Sequence, residues 1–332
     1  MFLRNSKGLQ LATGLILAVI AFATATVVVF PIVRDAHGDS PQVGPNQSKE
    51  KSLLELEKLR QNYAMVKSIH IVADAKVAVF GASFRVGKGS YEYWAEGDSY
   101  KMKCHTDPNV GLLADVDVAY DGKQFYFLDH ASGTLSYQQQ DVMKTTGALP
   151  NPLFMPVDFL SIDDDDCHFC ALRMTDFKSA SAPWKNRSSR LEVKSTSIDE
   201  TTGDVLTDLD IPGGIKNKHL FKFRLRLAEA KDGKLRVTRI DRVGPDGKLL
   251  TTMRLDHFAP SALGEFPRTI DLEGFDEQGN LLARMTYTIT TLEINQPTQN
   301  SAFAIGFNEA DAVWDSDRRI FVKEKKLKVL RP

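Results

Sequence analysis

Between Leu9 and Val33 no position carries a charge, and Arg4, Lys7, Arg34 and Asp35 bracket the run. As a helix at about 1.5 Å per residue it reaches roughly 37 Å, enough to cross a hydrocarbon layer of about 30 Å with some tilt. Two fates fit the segment. An uncleaved signal anchor uses the whole apolar length. A cleaved secretory signal uses Ala21-Phe22-Ala23 as its small-x-small site and leaves the apolar residues from Val27 to Val33 in an exposed tail. Span length favours the anchor. In both cases Arg4 and Lys7 hold the N-terminus cytoplasmic and send the body to the far side of the membrane. The expected layout is a signal anchor or transmembrane helix at 1–34, a flexible linker at 35–51, and one extracytoplasmic domain at 52–332.

After the linker, whose residues are rich in Gly, Pro, Ser, Asn and Gln, the apolar period is first helical. Leu53, Leu56, Leu59 and Tyr63 repeat along one stripe, with Ser52 as N-cap and Glu55 completing a capping box. The period then drops to two. Ile69, Ile71, Ala73 and Ala75 alternate with other residues, and Val77 and Val79 continue the series. Phe221, Phe223, Leu225 and Leu227 face away from Lys222, Arg224 and Arg226, and Leu281, Ala283, Met285, Tyr287 and Ile289 oppose Arg284, Thr286, Thr288 and Thr290. Such runs are strands with one buried and one wet face. Asp121-Gly122, Ser132-Gly133, Asp232-Gly233, Asp246-Gly247 and Gly279-Asn280 separate strand-like runs and suit hairpin turns that require positive φ. The pattern predicts a mainly β (α+β) protein, an antiparallel meander of about nine to eleven strands curling into a half-open barrel. Gln140 to Ser161, broken by Gly147, Pro150, Pro152 and Pro156, reads as short helical turns and loops carrying Leu153, Phe154 and Phe159.

Charge changes the picture little. Lys and Arg number 42 against 43 Asp and Glu, which gives no footprint for nucleic acid. The basic end, Lys323 to Arg331, reads as a solvated tail, with contact to acidic lipid head groups as the alternative.

The loudest local chemistry is Asp163-Asp164-Asp165-Asp166-Cys167-His168-Phe169-Cys170. Four carboxylates upstream disfavour a thiolate, which argues against a redox pair. An oxidising compartment favours a Cys167–Cys170 disulfide with Cys104 free, with free thiols and a metal half-site as alternatives. The seven histidines show no metal-type spacing, no nucleophile elbow or phosphate loop occurs, and no cofactor or metal is expected. A hydrolase whose site is assembled from distant strands would leave no local mark. Tyr91, Tyr93, Trp94, Tyr100, Tyr120, Phe125, Tyr126 and Phe127 concentrate aromatic surface, read as cross-strand core or as a rim that meets lipid.

The order of parts resembles the superfamily of periplasmic lipoprotein carriers and outer-membrane lipoprotein-sorting proteins. The resemblance rests on the helix ending in Tyr63-Ala64-Met65-Val66-Lys67-Ser68, on Tyr91-Glu92-Tyr93-Trp94, on Tyr120-Asp121-Gly122-Lys123, on Gly274-Phe275-Asp276-Glu277-Gln278-Gly279-Asn280, and on a closing Ser301-Ala302-Phe303. It is one of layout and short phrases across most of residues 52 to 322. It implies a half-open barrel whose concave face, covered by helices, holds acyl chains or other apolar ligands. It transfers no functional residue. An uncleaved anchor departs from the soluble carriers and implies a tethered binder or sensor.

Burying one methylene is worth about 0.8 kcal/mol, so a sixteen-carbon chain gains about 13 kcal/mol before association costs. The apolar ligand face is expected to use Leu56, Leu59, Leu153, Phe154, Phe159, Phe221, Phe223, Met285 and Tyr287. The alternative is that these residues simply fill a core. The expected partners are the membrane, through the N-terminal helix, a lipid or lipoprotein acyl chain, and a membrane protein. The other functional readings are an envelope sensor or protein-interaction domain without bound lipid, and the secreted hydrolase.

Overall fold

A computed structural model of the chain describes residues 45–80, 84–106, 115–139, 152, 156, 191–198, 200–201, 205–215, 218–229, 235–297 and 303–323. One α-helix, α1 (Pro45–Ala64), precedes β1 (Ser68–Val79), β2 (Arg85–Glu96), β3 (Ser99–Thr106), β4 (Val116–Tyr120), β5 (Phe125–Asp129) and β6 (Thr134–Gln138). Then come β7 (Glu192–Ile198), β8 (Val205–Ile215), β9 (Lys218–Glu229), β10 (Leu235–Val243), β11 (Leu249–Ser261), β12 (Gly264–Phe275) and β13 (Leu281–Ile294). A short 3-10 turn, β14 (Ala312–Asp315) and β15 (Ile320–Lys323) follow.

The strands form one sheet of fifteen in the order β15-β14-β6-β5-β4-β3-β2-β1-β13-β12-β11-β10-β9-β8-β7. Two hairpin meanders, β1–β6 and β7–β13, are joined where β1 pairs antiparallel with β13, with Ile71 opposite Leu292 and Ala75 opposite Tyr287. The sheet is curled, and its end strands β7 and β15 do not pair with each other. Four of the five expected hairpin turns are present, since Gly122, Gly133, Gly247 and Gly279 all have φ between +65° and +91°, and Asp232-Gly233 lies outside the described residues. Fifteen strands exceed the expected nine to eleven because several are only four or five residues long. One pairing departs from the meander, since β14 runs parallel to β6.

The helix also starts earlier than expected, at Pro45. Proline at a first helical position has its φ already set and loses no hydrogen bond there. Ser52 therefore lies inside the helix and is buried, not an N-cap, and residues 45–51 are helical instead of linker. Among the described residues no helix is long and apolar enough to cross a membrane. The Leu9–Val33 segment, the Cys167–Cys170 pair and the Gln140–Ser161 stretch (except 152 and 156) lie outside the described residues.

Alternation sorts the sheet into two faces. On one face Ile69, Ile71 and Ala73 of β1, Tyr91 and Tyr93 of β2, Leu225 and Leu227 of β9 and Ile270 of β12 are buried in a single core, together with Leu56 and Tyr63 of α1. On the other face β8 to β13 carry a ladder of charge. Asp210 sits opposite Arg224, Asp208 opposite Arg226, and Glu273 opposite Arg284. Nitrogen-to-oxygen distances are 3.1 Å for Arg224–Asp210, 2.9 Å for Arg226–Asp208 and 3.3 Å for Arg254–Glu273. Asp210, Asp241 and Glu273 are buried on this outward face, since long arginine and lysine stems lie across them. Burial works against ionised Asp208, yet hydrogen bonds from Arg226 and Ser195 hold its carboxyl below the usual range.

Around β4–β6 the outward face is apolar instead. Ala119, Tyr126, Leu128 and Leu135 are covered by Ile305, Ala310 and Val313 of the C-terminal segment. That segment is tied down by Lys101 Nζ donating to the Ala304 carbonyl (3.1 Å) and Tyr137 Oη donating to Asp315 (2.9 Å). The chain then returns beside β6, where β14 pairs parallel to it.

Candidate hydrophobic cleft between helix and sheet

Leu56, Leu59 and Tyr63 lie on the stripe of α1 that faces the sheet, because positions three and four apart share one face of a helix. Opposite them stand Leu227 of β9, Leu235 and Val237 of β10, Leu255 and Phe258 of β11 and Pro267 of β12. A cavity of about 50 Å³ remains between the two layers. Pro156 also lines it.

Polar groups share the lining. Glu55, Arg236 and Glu265 stand there. Arg236 pairs with Glu265, one hydrogen bond measuring 3.1 Å, and its guanidinium lies 5.6 Å from the centre of the Phe258 ring. The lining thus combines aliphatic, aromatic and charged groups.

Polar bonds also link α1 to the sheet among the described residues. Asn62 Nδ2 donates to the Leu263 carbonyl at 3.3 Å, and Lys51 pairs with Glu229. Lys58–Glu55 and Arg60–Glu57 are ion pairs within the helix. The apolar stripe packs into the main core through Leu56 and Tyr63, with Leu53 and Leu59 against it. Sites for small molecules typically enclose about 300 Å³ or more. A full acyl chain needs far more than 50 Å³, so entry requires α1 to shift off the sheet.

Deeper in the same core lies a group of tyrosines. Tyr91 and Tyr287 meet edge to face with ring centres 5.9 Å apart. Burial pushes the hydroxyls of Tyr63, Tyr91 and Tyr287 well above the ordinary phenol range. The Tyr91 hydroxyl has no hydrogen-bond partner among the described residues. Burial, aided by Asp115 and Asp117, pushes the Cys104 thiol up to about 12.

Of the residues expected from the sequence, Leu56 and Leu59 line the cleft. Phe223 and Tyr287 are buried in the same core, and Met285 packs against it, but none of the three is on the cleft wall. Leu153, Phe154, Phe159 and the Phe221 side chain lie outside the described residues. Leu235, Val237, Leu255, Phe258 and Pro267 were missed as wall residues. The Leu235-Arg236-Val237 alternation was the available signal for two of them. Of the aromatic group, Tyr91, Tyr93, Tyr100 and Phe125 are buried in the main core, as cross-strand core predicts.

Two further depressions flank the sheet. One of about 430 Å³ opens at the end of α1, between Asn62, Met65, Lys67, Ala262, Ile294 and Asn295. The other, of about 360 Å³, lies on the charged face among Lys194, Asp208, Arg224, Arg226, Arg239 and Asp241.

No protein-family model matches the chain. No curated protein sequence matches it either. Similar solved structures exist at low identity. A LolA superfamily protein from Nitrosomonas europaea is 10% identical, with 77% of this chain and 97% of that one covered at a TM-score of 0.43. A DUF1329 family protein from Desulfovibrio piger is 10% identical over 79% and 98% of the two chains, with a TM-score of 0.47. A putative outer membrane lipoprotein-sorting protein domain from Vibrio parahaemolyticus is 10% identical over 77% and 97%, with a TM-score of 0.45.

Proposed function

We propose that this protein is a non-catalytic binder of an apolar ligand, a lipid or the acyl chain of a lipoprotein. In this reading the ligand occupies the cleft between α1 and strands β9–β12, and residues 1–34 hold the protein at a membrane with its body on the extracytoplasmic side. The observation that carries the proposal is a cavity between helix and sheet whose walls include Leu56, Leu59, Leu227, Leu235, Val237 and Leu255. An apolar ligand replaces the contacts that Leu56, Leu59 and Tyr63 lose when the helix lifts. Each added methylene then contributes about 0.8 kcal/mol. The Arg236–Glu265 pair in the lining suits a polar head group.

The test is a titration of delipidated full-length protein with a fluorescent fatty acid, followed by competition with unlabelled palmitate. Saturable, competable binding is expected. Binding that never saturates, or that palmitate does not displace, overturns the proposal.

One observation favours a second reading. The enclosed space is only about 50 Å³, which suits a filled core and a sensor or protein-interaction domain acting through its surface. That reading expects no competable lipid binding.

A further inference from the structure

At one end of β3, β4 and β5 the outward face gathers His105, Asp117 and His130. Asp117 is buried, its side chain 5% exposed, while the side chains of His105 and His130 are 44% and 32% exposed. His130 Nε2 lies 3.0 Å and His105 Nε2 3.7 Å from the same oxygen, Asp117 Oδ1. The two imidazole rings are 5.0 Å apart. One donor atom from each of the three residues fits within 4.8 Å of the others.

The hydrogen bonding of His105 sets its tautomer. Its Nδ1 is 2.8 Å from Asp115 Oδ1, and an ionised carboxylate only accepts, so Nδ1 carries the proton. Nε2 is then the atom that faces Asp117 Oδ1, at a separation too long for a hydrogen bond. In the neutral imidazole Nε2 turns a lone pair toward that oxygen, and a proton or a metal ion fits between them; His130 Nε2, 3.0 Å away, is hydrogen-bonded to the same oxygen and gives up its proton when a metal binds. A carboxylate holding the far nitrogen of a histidine is also the usual support behind a metal-bound imidazole.

We propose that His105 Nε2, Asp117 Oδ1 and His130 Nε2 bind one divalent transition-metal ion, with Asp115 as the positioning residue behind His105. Tetrahedral zinc, with bonds of about 2.0–2.2 Å, places its donors about 3.4 Å apart. The two measured separations fall on either side of that value. Two imidazoles and one carboxylate are a donor set for Zn²⁺, Ni²⁺ or Cu²⁺, and are ill suited to Ca²⁺ or Mg²⁺. Three protein ligands leave a fourth position, which the exposed edges of both histidines turn to solvent. Water or a donor from another molecule completes it. The site stands on the face of β4 opposite the main core, since Val116 and Val118 point into that core and Asp117 points away. It therefore does not depend on the lipid reading.

The experiment uses full-length protein stripped with a chelator and titrated with Zn²⁺ alone by calorimetry. The same titration is run on Asp115→Asn and on a double variant, His105→Ala with His130→Ala, each first compared with wild type by circular dichroism. The expected result is one Zn²⁺ per chain, weakened about 10–100-fold in Asp115→Asn and lost in the double variant. Should the double variant misfold, His130→Gln alone is expected to weaken binding at least about tenfold. Absence of one-to-one binding in the wild type, or affinity unchanged in a folded ligand variant, overturns the proposal.

Discussion

Replacing Leu56 by alanine tests the helix–sheet cleft in two independent ways. Leu56 is 2% exposed, belongs to the main core and lines the cavity. The substitution removes three carbons from an almost fully buried side chain. At about 0.8 kcal/mol per methylene the transfer loss is about 2.4 kcal/mol. The space left behind adds a further cost of about 24 cal/mol per Å³ that the walls do not close. Those walls are rigid strand positions, Leu227, Val237 and Leu255, and they already fail to close over about 50 Å³. A total of about 3–4 kcal/mol is therefore expected, in the middle of the range for Leu→Ala in cores. The second readout is ligand affinity. The new space joins the existing cavity, so a short alkyl probe such as decanoate should bind the variant more tightly than wild type. At about one hundred times its Kd, decanoate should restore about 2.7 kcal/mol of the lost stability. Urea unfolding followed by circular dichroism, with and without decanoate, measures both quantities. A loss below about 1 kcal/mol would contradict the packing of α1 on the sheet. A full loss with no decanoate rescue would refute the claim that this space accepts an apolar chain.

Other substitutions probe the frame around the cleft. Glu273→Gln removes the charge that Arg254 and Arg284 share; because both arginines are about half exposed and can rehydrate, a loss of about 2 kcal/mol is expected in urea unfolding, and a loss under about 0.5 kcal/mol contradicts it. Tyr91→Phe deletes a buried hydroxyl without a hydrogen-bond partner among the described residues, so stability should hold or rise by up to about 1 kcal/mol; a clear loss would reveal a partner for that hydroxyl. Asp276 accepts hydrogen bonds from Gln278 and from the backbone and side chain of Asn280 in the β12–β13 turn, with Asn280 foremost in holding its carboxyl below the usual range. A lowered folded-state value means that its contribution is complete above the ordinary carboxylate range and is lost as the pH falls through and below about 4. The stability difference between wild type and Asp276→Ala should therefore shrink on acidification over that interval, and a constant difference from pH 6 to pH 2.5 would contradict it.

Period-two alternation and Gly-bearing turns made the hairpins legible, because long strands such as β1 and β9 alternate buried and more exposed positions and neighbours in the chain are mostly neighbours in space. The inward set Ile69, Ile71, Phe223, Leu225 and Tyr287 is buried as alternation requires. What the pattern could not carry was long-range pairing. Nothing local says that β1 adjoins β13, or that β14 lies parallel to β6 over a second apolar patch. Leu128 and Leu135 read as ordinary strand positions until Ile305 and Val313 are laid on them. Half of the cleft was legible through the Leu56, Leu59 and Tyr63 stripe. Its other wall was not, since Leu255, Phe258 and Pro267 come from strands whose inner faces are chosen by pairing. Helix onset was misplaced because Ser52 and Glu55 satisfy a capping pattern that Pro45 overrides farther upstream. His105, Asp117 and His130 lie twelve and thirteen positions apart in sequence and converge only across adjacent strands.

The claim that an apolar chain lodges between α1 and β9–β12 is tested most directly by light. A palmitate analogue with a photoreactive group at its chain end is bound to full-length protein, irradiated, and its attachment sites are read by peptide mass spectrometry. Attachment within residues 53–63 and 227–258, suppressed by excess palmitate, is the predicted result. Attachment confined to the charged outer face, or insensitive to palmitate, would contradict the account.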